Sequence, residues 1–316
     1  MLMKEILKDL TQGVLLTADS ETGMWELTVP DGVVLSKPLF LTDVLGSDDE
    51  LEVSHDMRIT LASGSCADVV IADRCAAERN FRIQRNLSVE VAADATLNLC
   101  LEEETGVSAT CTCKVNAACT GTLTAGFFCL GGGEVNYDVH LDLAGQGAVA
   151  DVYGMAVAAG STKVRNHVEV SHSCPHCTDR ELFKYILDGE ATARFEGVVR
   201  VLPGAVGADS QQLSRAICLS RAAHMYAQPQ LIIDHDDVRC SHGATVGQLD
   251  EQALFYMQQR GIPRHEARLL LLASFLAEVI DKVPVPSQRD RIMLLSERLL
   301  RGDFNHCVSC GICQHT

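Results

Sequence analysis

Basic side chains are scarce in this sequence of 316 residues, where 26 lysines and arginines stand against 42 aspartates and glutamates. The resulting net charge of -16 argues against nucleic acid or an anionic membrane as a partner. Long apolar runs are also missing, since the longest, 269–280, is shorter than the about 20 residues of a membrane span and contains Glu278. No secretory signal opens the chain. We therefore expect a soluble, cytoplasmic protein.

Nucleotide-binding and hydrolase signatures are absent as well. The sequence has no GxxxxGK[ST] loop and no GxSxG turn, and the glycines at 131–133 stand outside any strand–helix context. Any ATP chemistry would have to come from a partner. Aromatic residues make up only 5% of the chain, which speaks against a carbohydrate-active enzyme, because sugar-binding platforms usually stack rings.

Cysteine, in contrast, is abundant, with 14 residues. The length of the chain and the missing signal predict reduced thiols rather than disulfides. Half of them lie in strand-like sequence and are expected to pack as small hydrophobic residues: Cys66, Cys75, Cys100, Cys111, Cys113, Cys119 and Cys129.

Short β-like segments separated by glycine, aspartate or asparagine turns run from about 51 to 233. In the clearest of them, 134–143, apolar residues occupy every second position, which is the period of a strand. Successive strands with small residues at the corners and no helices between them favour a parallel β-helix. A β-sandwich or jelly roll is the alternative, because regularly spaced short strands suit it too.

Helical periodicity appears at both ends of the chain. A short helix is expected at 2–11, and Ser287 is expected to cap the last of three helices near the C-terminus. These three are predicted at 250–260, 264–282 and 288–301. The predicted organisation has four parts: an N-terminal helix with short strands (1–60), a β-helix core (61–247), a helical subdomain (248–302) and a cysteine-rich tail (303–316).

The tail carries a CxxCxxC motif formed by Cys307, Cys310 and Cys313. This spacing lets three thiolates converge on one cubic iron–sulfur cluster. A fourth ligand would have to come from elsewhere, because no further cysteine follows. The motif predicts binding of a metal or a cluster, and the alternative is a mobile terminus with incidental cysteines.

Cys174 and Cys177 form a CxxC pair, with His172 just before it. The pair could act in thiol redox chemistry, form half of a zinc or iron–sulfur site, or consist of two structural thiols in a turn. Its place between two strands, not at a helix N-terminus, disfavours a thioredoxin-like role.

The stretch 236–247, DDVRCSHGATVG, is the strongest candidate for a site. Cys240 and His242 are two residues apart, so they share one face of an extended chain and predict a site for a soft metal. Asp236 and Asp237 add carboxylates just upstream. Cys218, on the preceding β-segment, would reach the same region if the coils stack.

From about 165 to 283 the sequence resembles the SufB/SufD family of iron–sulfur cluster assembly proteins. The first 160 residues match that family only as generic β sequence, and the CxxCxxC tail is not part of its usual pattern. The residues that carry the resemblance are Gly197, Val199, 203–205, 209–212, 229–231, 236–250, 254–262, 267–270 and 275–279.

The resemblance implies a mainly β fold, with a right-handed parallel β-helix core and a small C-terminal α-helical subdomain. It implies a scaffold, not an enzyme, whose helical subdomain docks a SufC-like ABC-type ATPase. A transient [2Fe–2S] or [4Fe–4S] cluster would form at a dimer interface. That interface joins two copies of the chain as a homodimer or pairs it with a second SufB/SufD-type chain.

In D-type members of that family, a histidine at the position of His242 lies at the dimer interface, and here Cys240 stands beside it. Gly243 occupies the place of a glutamate found in B-type members, so the ligand set differs from theirs. Because thiolate and imidazole are suitable ligands for iron, we expect Cys240 and His242 of facing subunits to bind iron and sulfide, and the carboxylates of Asp236 and Asp237 to hold incoming Fe²⁺. The alternative function is a cluster-binding redox or storage protein that uses the CxxCxxC tail.

Overall fold

The computed structural model of the chain describes residues 14–18, 24–46, 49, 51–75 and 79–302. It is mainly β, with 55% strand, and forms a parallel β-solenoid of about 7 turns followed by 3 helices. The strands in chain order are β1 Leu15–Ala18, β2 Trp25–Val29, β3 Leu39–Leu45, β4 Glu52–Leu61, β5 Cys66–Cys75, β6 Arg82–Val91, β7 Thr96–Glu104, β8 Thr110–Cys119, β9 Thr122–Cys129, β10 Glu134–Leu143, β11 Val149–Ala158, β12 Lys163–His172, β13 Thr178–Leu187, β14 Thr192–Val201, β15 Asp209–Cys218, β16 His224–Ile233 and β17 Arg239–Gly247. The helices are α1 Glu251–Gln259, α2 Arg264–Ile280 and α3 Pro286–Leu300.

The strands build two sheets that alternate along the chain. The first sheet contains β1, β2 and the even-numbered strands from β4 to β16, and the second contains the odd-numbered strands from β3 to β17. Apart from the antiparallel β1–β2 pair, each strand pairs in parallel with the strand two further along. This pairing confirms the predicted parallel β-helix and rules out the sandwich, whose sheets are antiparallel.

Side-chain alternation explains why the coils stack in register. β10 pairs with β12 without a break, from Glu134↔Lys163 to Leu143↔His172. Every second residue of β10, Val139 among them, is buried between the two sheets. The same parity therefore points inward in each coil, and a hydrophobic core runs through most of the solenoid interior.

Glycines allow the coils to stack closely at a corner. Gly160 and Gly189 have positive φ values of 62° and 66°, a conformation that favours glycine. A Cβ added at Gly189 would lie 2.9 Å from the backbone nitrogen of Gly160. Successive corners thus contact each other through the backbone.

The helices pack on the outer face of the second sheet. Leu276 of α2 and Ile292 of α3 belong to a cluster with Tyr153 of β11, which is separate from the solenoid interior. A salt bridge of 2.5 Å between Lys184 Nζ of β13 and Glu278 Oε2 of α2 adds a polar contact. None of the helices in the described part of the chain is long and apolar enough to cross a membrane.

The solenoid begins earlier than the predicted boundary at 61. β2 already pairs in parallel with β4, and β3 with β5. The prediction placed this boundary too late because the early strands are short and interrupted by turns such as the one at Asp31 and Gly32. The helix predicted at 2–11 and the tail at 303–316 lie outside the described residues.

The start of α3 also differs from the prediction. Val285 is its N-cap and Pro286 is its first residue, so Ser287 lies inside the first turn and does not cap the helix. Proline suits this position because its missing N–H would have no helical partner there.

Candidate functional site at the open end of the solenoid

β16 and β17 are the final strands of their sheets, so the coil that they form has a neighbour on only one side among the described strands. On the preceding coil, the inward-facing Val201 and Ala216 are almost fully buried. Their register partners Ile233 and Val246 are 42% and 50% exposed. The solenoid interior thus opens to the outside at β16 and β17, which we call the open end.

Cys240 and His242 lie on β17 at the open end. They pair in register with Ser210 and Gln212 of β15, which are buried inside the solenoid. The thiol and the imidazole therefore share the inward side of β17. Cys240 is half-buried and packs on the cluster that contains Val199, whereas His242 is exposed.

The surroundings of Cys240 keep its thiol protonated. Burial raises its pKa, the charge of Asp179 raises it further, and a backbone hydrogen bond at Ser210 opposes these effects. Binding of a metal ion to the sulfur would favour the thiolate. A groove of about 320 Å³ runs beside Cys240, and the guanidinium-bearing side chains of Arg180 and Arg239 line part of it.

Beneath the open end, several inward positions of β13 and β15 are polar. We call this set the polar layer, and it consists of Asp179, Glu181, Ser210, Gln212 and Ser214, all buried. The register aligns Asp179 and Ser210 under Cys240, and it aligns Glu181 and Gln212 under His242. Cys240 and His242 therefore lie at the outer end of these aligned buried side chains, which we call the polar column.

The polar layer is only partly satisfied by hydrogen bonds. Gln212 Nε2 donates to Glu181 Oε2 at 3.0 Å, and His172 Nε2 lies 2.5 Å from Asp179 Oδ1. Several other buried atoms have no partner among the described residues: His172 Nδ1, Asp179 Oδ2, Glu181 Oε1, Ser210 Oγ, Gln212 Oε1 and Ser214 Oγ. Because buried polar atoms are normally paired, these atoms mark a place suited to water, protons or a bound ion.

Burial raises the pKa of Glu181 well above its usual value, the charge of Asp179 raises it further, and the hydrogen bond from Gln212 opposes both. The raised pKa favours the protonated form of Glu181, which lies two strands below His242 in the same column.

Sequence reasoning missed the polar layer. The signal was the parity of β13, because Asp179 and Glu181 alternate in phase with Phe183 and Tyr185, which are fully buried. Two acids on the apolar side of a strand are unusual, since carboxylates are seldom buried without a partner.

Cys218 does not meet Cys240 within one chain. Cys218 ends β15, whereas Cys240 pairs with Ser210 near the start of that strand. At about 3.3 Å per residue, the two positions are roughly 26 Å apart. The predicted convergence is therefore wrong within the chain, because stacking in register keeps opposite strand ends apart.

The two aspartates lie near the predicted site but not in it. Asp236 and Asp237 are exposed and precede β17. The carbonyl oxygen of Asp237 accepts a hydrogen bond of 2.7 Å from the Gly207 amide, which fixes the backbone here. Both carboxylates remain free to reach solvent beside the open end.

The CxxC pair lies in the corner between β12 and β13. The Cys174 thiol donates to the carbonyl oxygen of Ala144 at 3.1 Å, and the Cys177 thiol donates to that of Gly145 at 3.1 Å. Both are free cysteines, and burial raises the pKa of Cys177. In the described contacts, both thiols thus donate hydrogen bonds to the corner of the preceding coil. The CxxCxxC tail lies outside the described residues.

Residues 45–275 match the family model described as SUF system FeS cluster assembly, SufBD core domain. The chain belongs to this family. The match spans the polar layer and all of β17, so both candidate ligands lie in the SufBD core.

Curated SufBD relatives are longer than this chain. A SufBD family iron–sulfur cluster assembly protein of Synechocystis is 35% identical over 156 residues, which are 49% of this chain and 32% of that protein. The assembly protein SufD of Escherichia coli is 28% identical over 176 residues, or 55% and 42% of the two chains. SufD of Bacillus subtilis is 31% identical over 160 residues, or 51% and 37%. The matches thus cover less than half of each relative.

Proposed function

We propose that this SufBD chain is a scaffold subunit of a SUF-type assembly complex and that an iron–sulfur cluster is assembled at its open end. The observation that carries the proposal is the thiol and imidazole of Cys240 and His242 on the inward side of β17, at the open end of the solenoid. Family membership supports iron–sulfur assembly as the general role. Iron and sulfide are the cargo, and the product is a [2Fe–2S] or [4Fe–4S] cluster that leaves the scaffold.

A second chain would complete the ligand set. Two groups cannot by themselves supply the four protein ligands that such clusters usually have. The half-exposed apolar side chains of Ile233 and Val246, together with the free edges of β16 and β17, support covering of the open end by another SufBD chain. A homodimer would bring two copies of Cys240 and His242 to one interface, and a second SufB/SufD-type chain would bring different ligands.

The chemistry of the residues suits iron. Thiolate and imidazole both bind iron, and exposed carboxylates such as Asp236 and Asp237 suit transient capture of Fe²⁺. Because the Cys240 thiol is protonated in the free chain, iron binding would release its proton.

A SufC-like ABC-type ATPase would dock on the helices. Phe255 and Tyr256 of α1 and Leu270 of α2 are 63%, 57% and 52% exposed, which supports a partner on this face. Lys184 of β13 donates to the carbonyl oxygen of Phe275 in α2 at 2.6 Å, in addition to its salt bridge with α2. Displacement of α2 would therefore act on the strand that carries the polar layer.

The proposal is tested by anaerobic co-expression with the ABC-type ATPase, followed by measurement of subunit stoichiometry, iron and sulfide. Cys307, Cys310 and Cys313 are first replaced by alanine, so that the tail cannot bind the cluster that is counted. In that background, Cys240→Ser with His242→Ala should abolish bound iron and sulfide. Cys218→Ser, a half-buried thiol at the far end of the neighbouring strand, is the matched control and should leave both unchanged.

Two outcomes would contradict the proposal. If the double variant retains its iron and sulfide, the open end is not the assembly site. If the tail variant alone loses all iron and sulfide, the chain stores a cluster on CxxCxxC instead. Failure to recover the ATPase would contradict docking only, without bearing on the cluster.

A further inference from the structure

A second group of metal-capable side chains lies on the outer face of the first sheet, away from the open end. Asp138 and His140 of β10 and His167 of β12 each offer one ligand atom, and these three atoms lie within 4.8 Å of one another. The register explains the grouping, because Asp138 pairs with His167 across the two strands. Position i+2 on β10 then brings His140 to the same face.

One ring nitrogen of this group is left without a hydrogen bond. His167 Nδ1 is buried and has no hydrogen-bond partner among the described residues. His140 Nε2 lies 3.3 Å from Asp138 Oδ1, and its ring contacts that of His167 edge-on with 5.6 Å between centroids. The unpaired ring nitrogen of His167 thus lies beside a second imidazole and a carboxylate. This arrangement suits a metal ion, because all three groups are common metal ligands.

Glu169 offers a fourth oxygen atom. It is the register partner of His140, and its Oε2 lies 3.9 Å from His140 Nδ1. Its other oxygen accepts a hydrogen bond of 3.1 Å from Arg200 Nε, which orients the carboxylate. Such an outer partner is typical of metal-binding carboxylates. A groove of about 480 Å³, lined by His140, Glu169 and Asn116 among others, leaves room for water ligands.

We propose that Asp138, His140 and His167 bind a divalent first-row transition metal ion, with Glu169 as an additional ligand. Two imidazoles and one carboxylate suit Zn²⁺ or Fe²⁺, whereas Mg²⁺ and Ca²⁺ prefer sites made only of oxygen atoms. Asp138 and His140 are 39% and 47% exposed, which leaves both side chains room to turn toward an ion at a ligand distance of about 2.0–2.2 Å. The site stands on the outside of the first sheet, whereas Cys240 points into the solenoid from the second.

The test first removes the candidate ligands of the tail and of the proposed assembly site. The parent variant lacks Cys307, Cys310, Cys313, Cys240 and His242, each replaced by alanine, so its metal binding is independent of the proposed assembly site. Zn²⁺ binding is measured by calorimetry, and Co²⁺ binding by its visible spectrum, which should lack thiolate charge-transfer bands. We expect one equivalent of tightly bound metal.

Single substitutions then identify the ligands. His167→Ala and Asp138→Asn should each weaken Zn²⁺ binding by at least about tenfold, the lower end of what loss of a metal-site partner causes. His224→Ala, which removes an exposed histidine from β16 of the same sheet, should change nothing. Asp138→Asn keeps the side-chain shape, so it remains informative if His167→Ala disturbs the fold.

Three outcomes overturn the proposal: a parent variant without bound metal, a Co²⁺ spectrum dominated by thiolate, or unchanged affinity in both ligand variants. None of them bears on cluster assembly at the open end, because the parent variant already lacks that site.

Discussion

The coils before β16 and β17, which we call the closed coils, have the same alternation of inward and outward side chains as the open end. The two regions differ in what covers them. Val201 and Ile233 are register partners one coil apart, yet their exposures are 0% and 42%. Ala216 and Val246 show the same contrast, at 4% and 50%. In a solenoid, burial of a coil is supplied by the next coil, so the last described coil keeps a core-like face that is exposed among the described residues.

This difference has an energetic consequence. Full burial of a Val or Ile side chain is worth about 1.5–3 kcal/mol, so covering the exposed parts of Ile233 and Val246 would stabilise an assembly by roughly 1 kcal/mol each. The closed coils have already gained this energy within the chain. Among the described residues the open end has not gained it, so a second molecule that covers β16 and β17 would supply this burial and could share a site there.

The largest expected effect compares Phe195 of a closed coil with Ile233 of the open end. Phe195 is fully buried, with its ring 4.9 Å from that of Phe183, so Phe195→Ala should lower the free energy of unfolding by about 3–5 kcal/mol. Ile233→Ala should lower that of the isolated chain by about 1 kcal/mol or less. Urea denaturation at low protein concentration measures both. Equal costs would show that the open end is already covered within the chain.

The next effect concerns assembly. Ile233→Asp with Val246→Asp would place two carboxylates in the proposed interface and should raise the dimer dissociation constant about a hundredfold, or tenfold for each 1.4 kcal/mol lost. Sedimentation equilibrium gives the constant directly. Val107→Asp is the control, because Val107 is 62% exposed but lies in a turn far from the open end. Equal weakening by the control variant would remove the open end as the interface.

Much of the fold follows from periodicity. Alternation over 134–143 predicts β10, and the helical period predicts α1, α2 and α3, because each pattern reflects which side of the element is buried. The sequence does not state which strand ends lie side by side. For that reason Cys218 was expected beside Cys240, although the register separates them.

The candidate site was predictable only in part. Spacing alone places Cys240 and His242 on one face of β17, since the strand period is two. The polar layer was missed because Glu181 and Gln212 become unusual only when their side of the strand is known to be the interior. That knowledge comes from long-range stacking of coils, not from local sequence.

A smaller effect is the pH dependence of the unfolding free energy that comes from a buried acid below the open end and from one in a closed coil. Burial raises the pKa of Glu181 above 4.5, so between its ordinary and raised pKa values the folded state binds more protons than the unfolded state. Its contribution to stability is therefore complete below about pH 4.5 and is lost as pH rises toward the raised value. Glu181→Gln should make the unfolding free energy fall less steeply as pH rises.

Glu103, in a closed coil, has a pKa raised by burial and by the charge of Asp73, so Glu103→Gln should flatten the same profile. The two positions should diverge on assembly, because only Glu181 lies under the open end. Urea unfolding across pH, with and without dimerisation, measures this. If dimerisation changes the effect of Glu103→Gln on the pH profile as much as that of Glu181→Gln, then assembly does not act on Glu181 through the open end above it.

The smallest effect compares two buried hydroxyl groups. Ser65, in a closed coil, donates to the carbonyl oxygen of Ala62 at 2.7 Å, so Ser65→Ala should cost about 1 kcal/mol of stability. Ser214, in the polar layer, is equally buried at 1% exposed, but its Oγ has no partner among the described residues. Ser214→Ala should therefore be neutral or stabilising by up to about 1 kcal/mol, because it removes an uncompensated polar group. Urea denaturation of the isolated chain measures the change in the free energy of unfolding for both variants. If Ser214→Ala destabilises the chain as much as Ser65→Ala does, the Ser214 hydroxyl is already paired. The polar layer would then not differ from the closed coils in this respect.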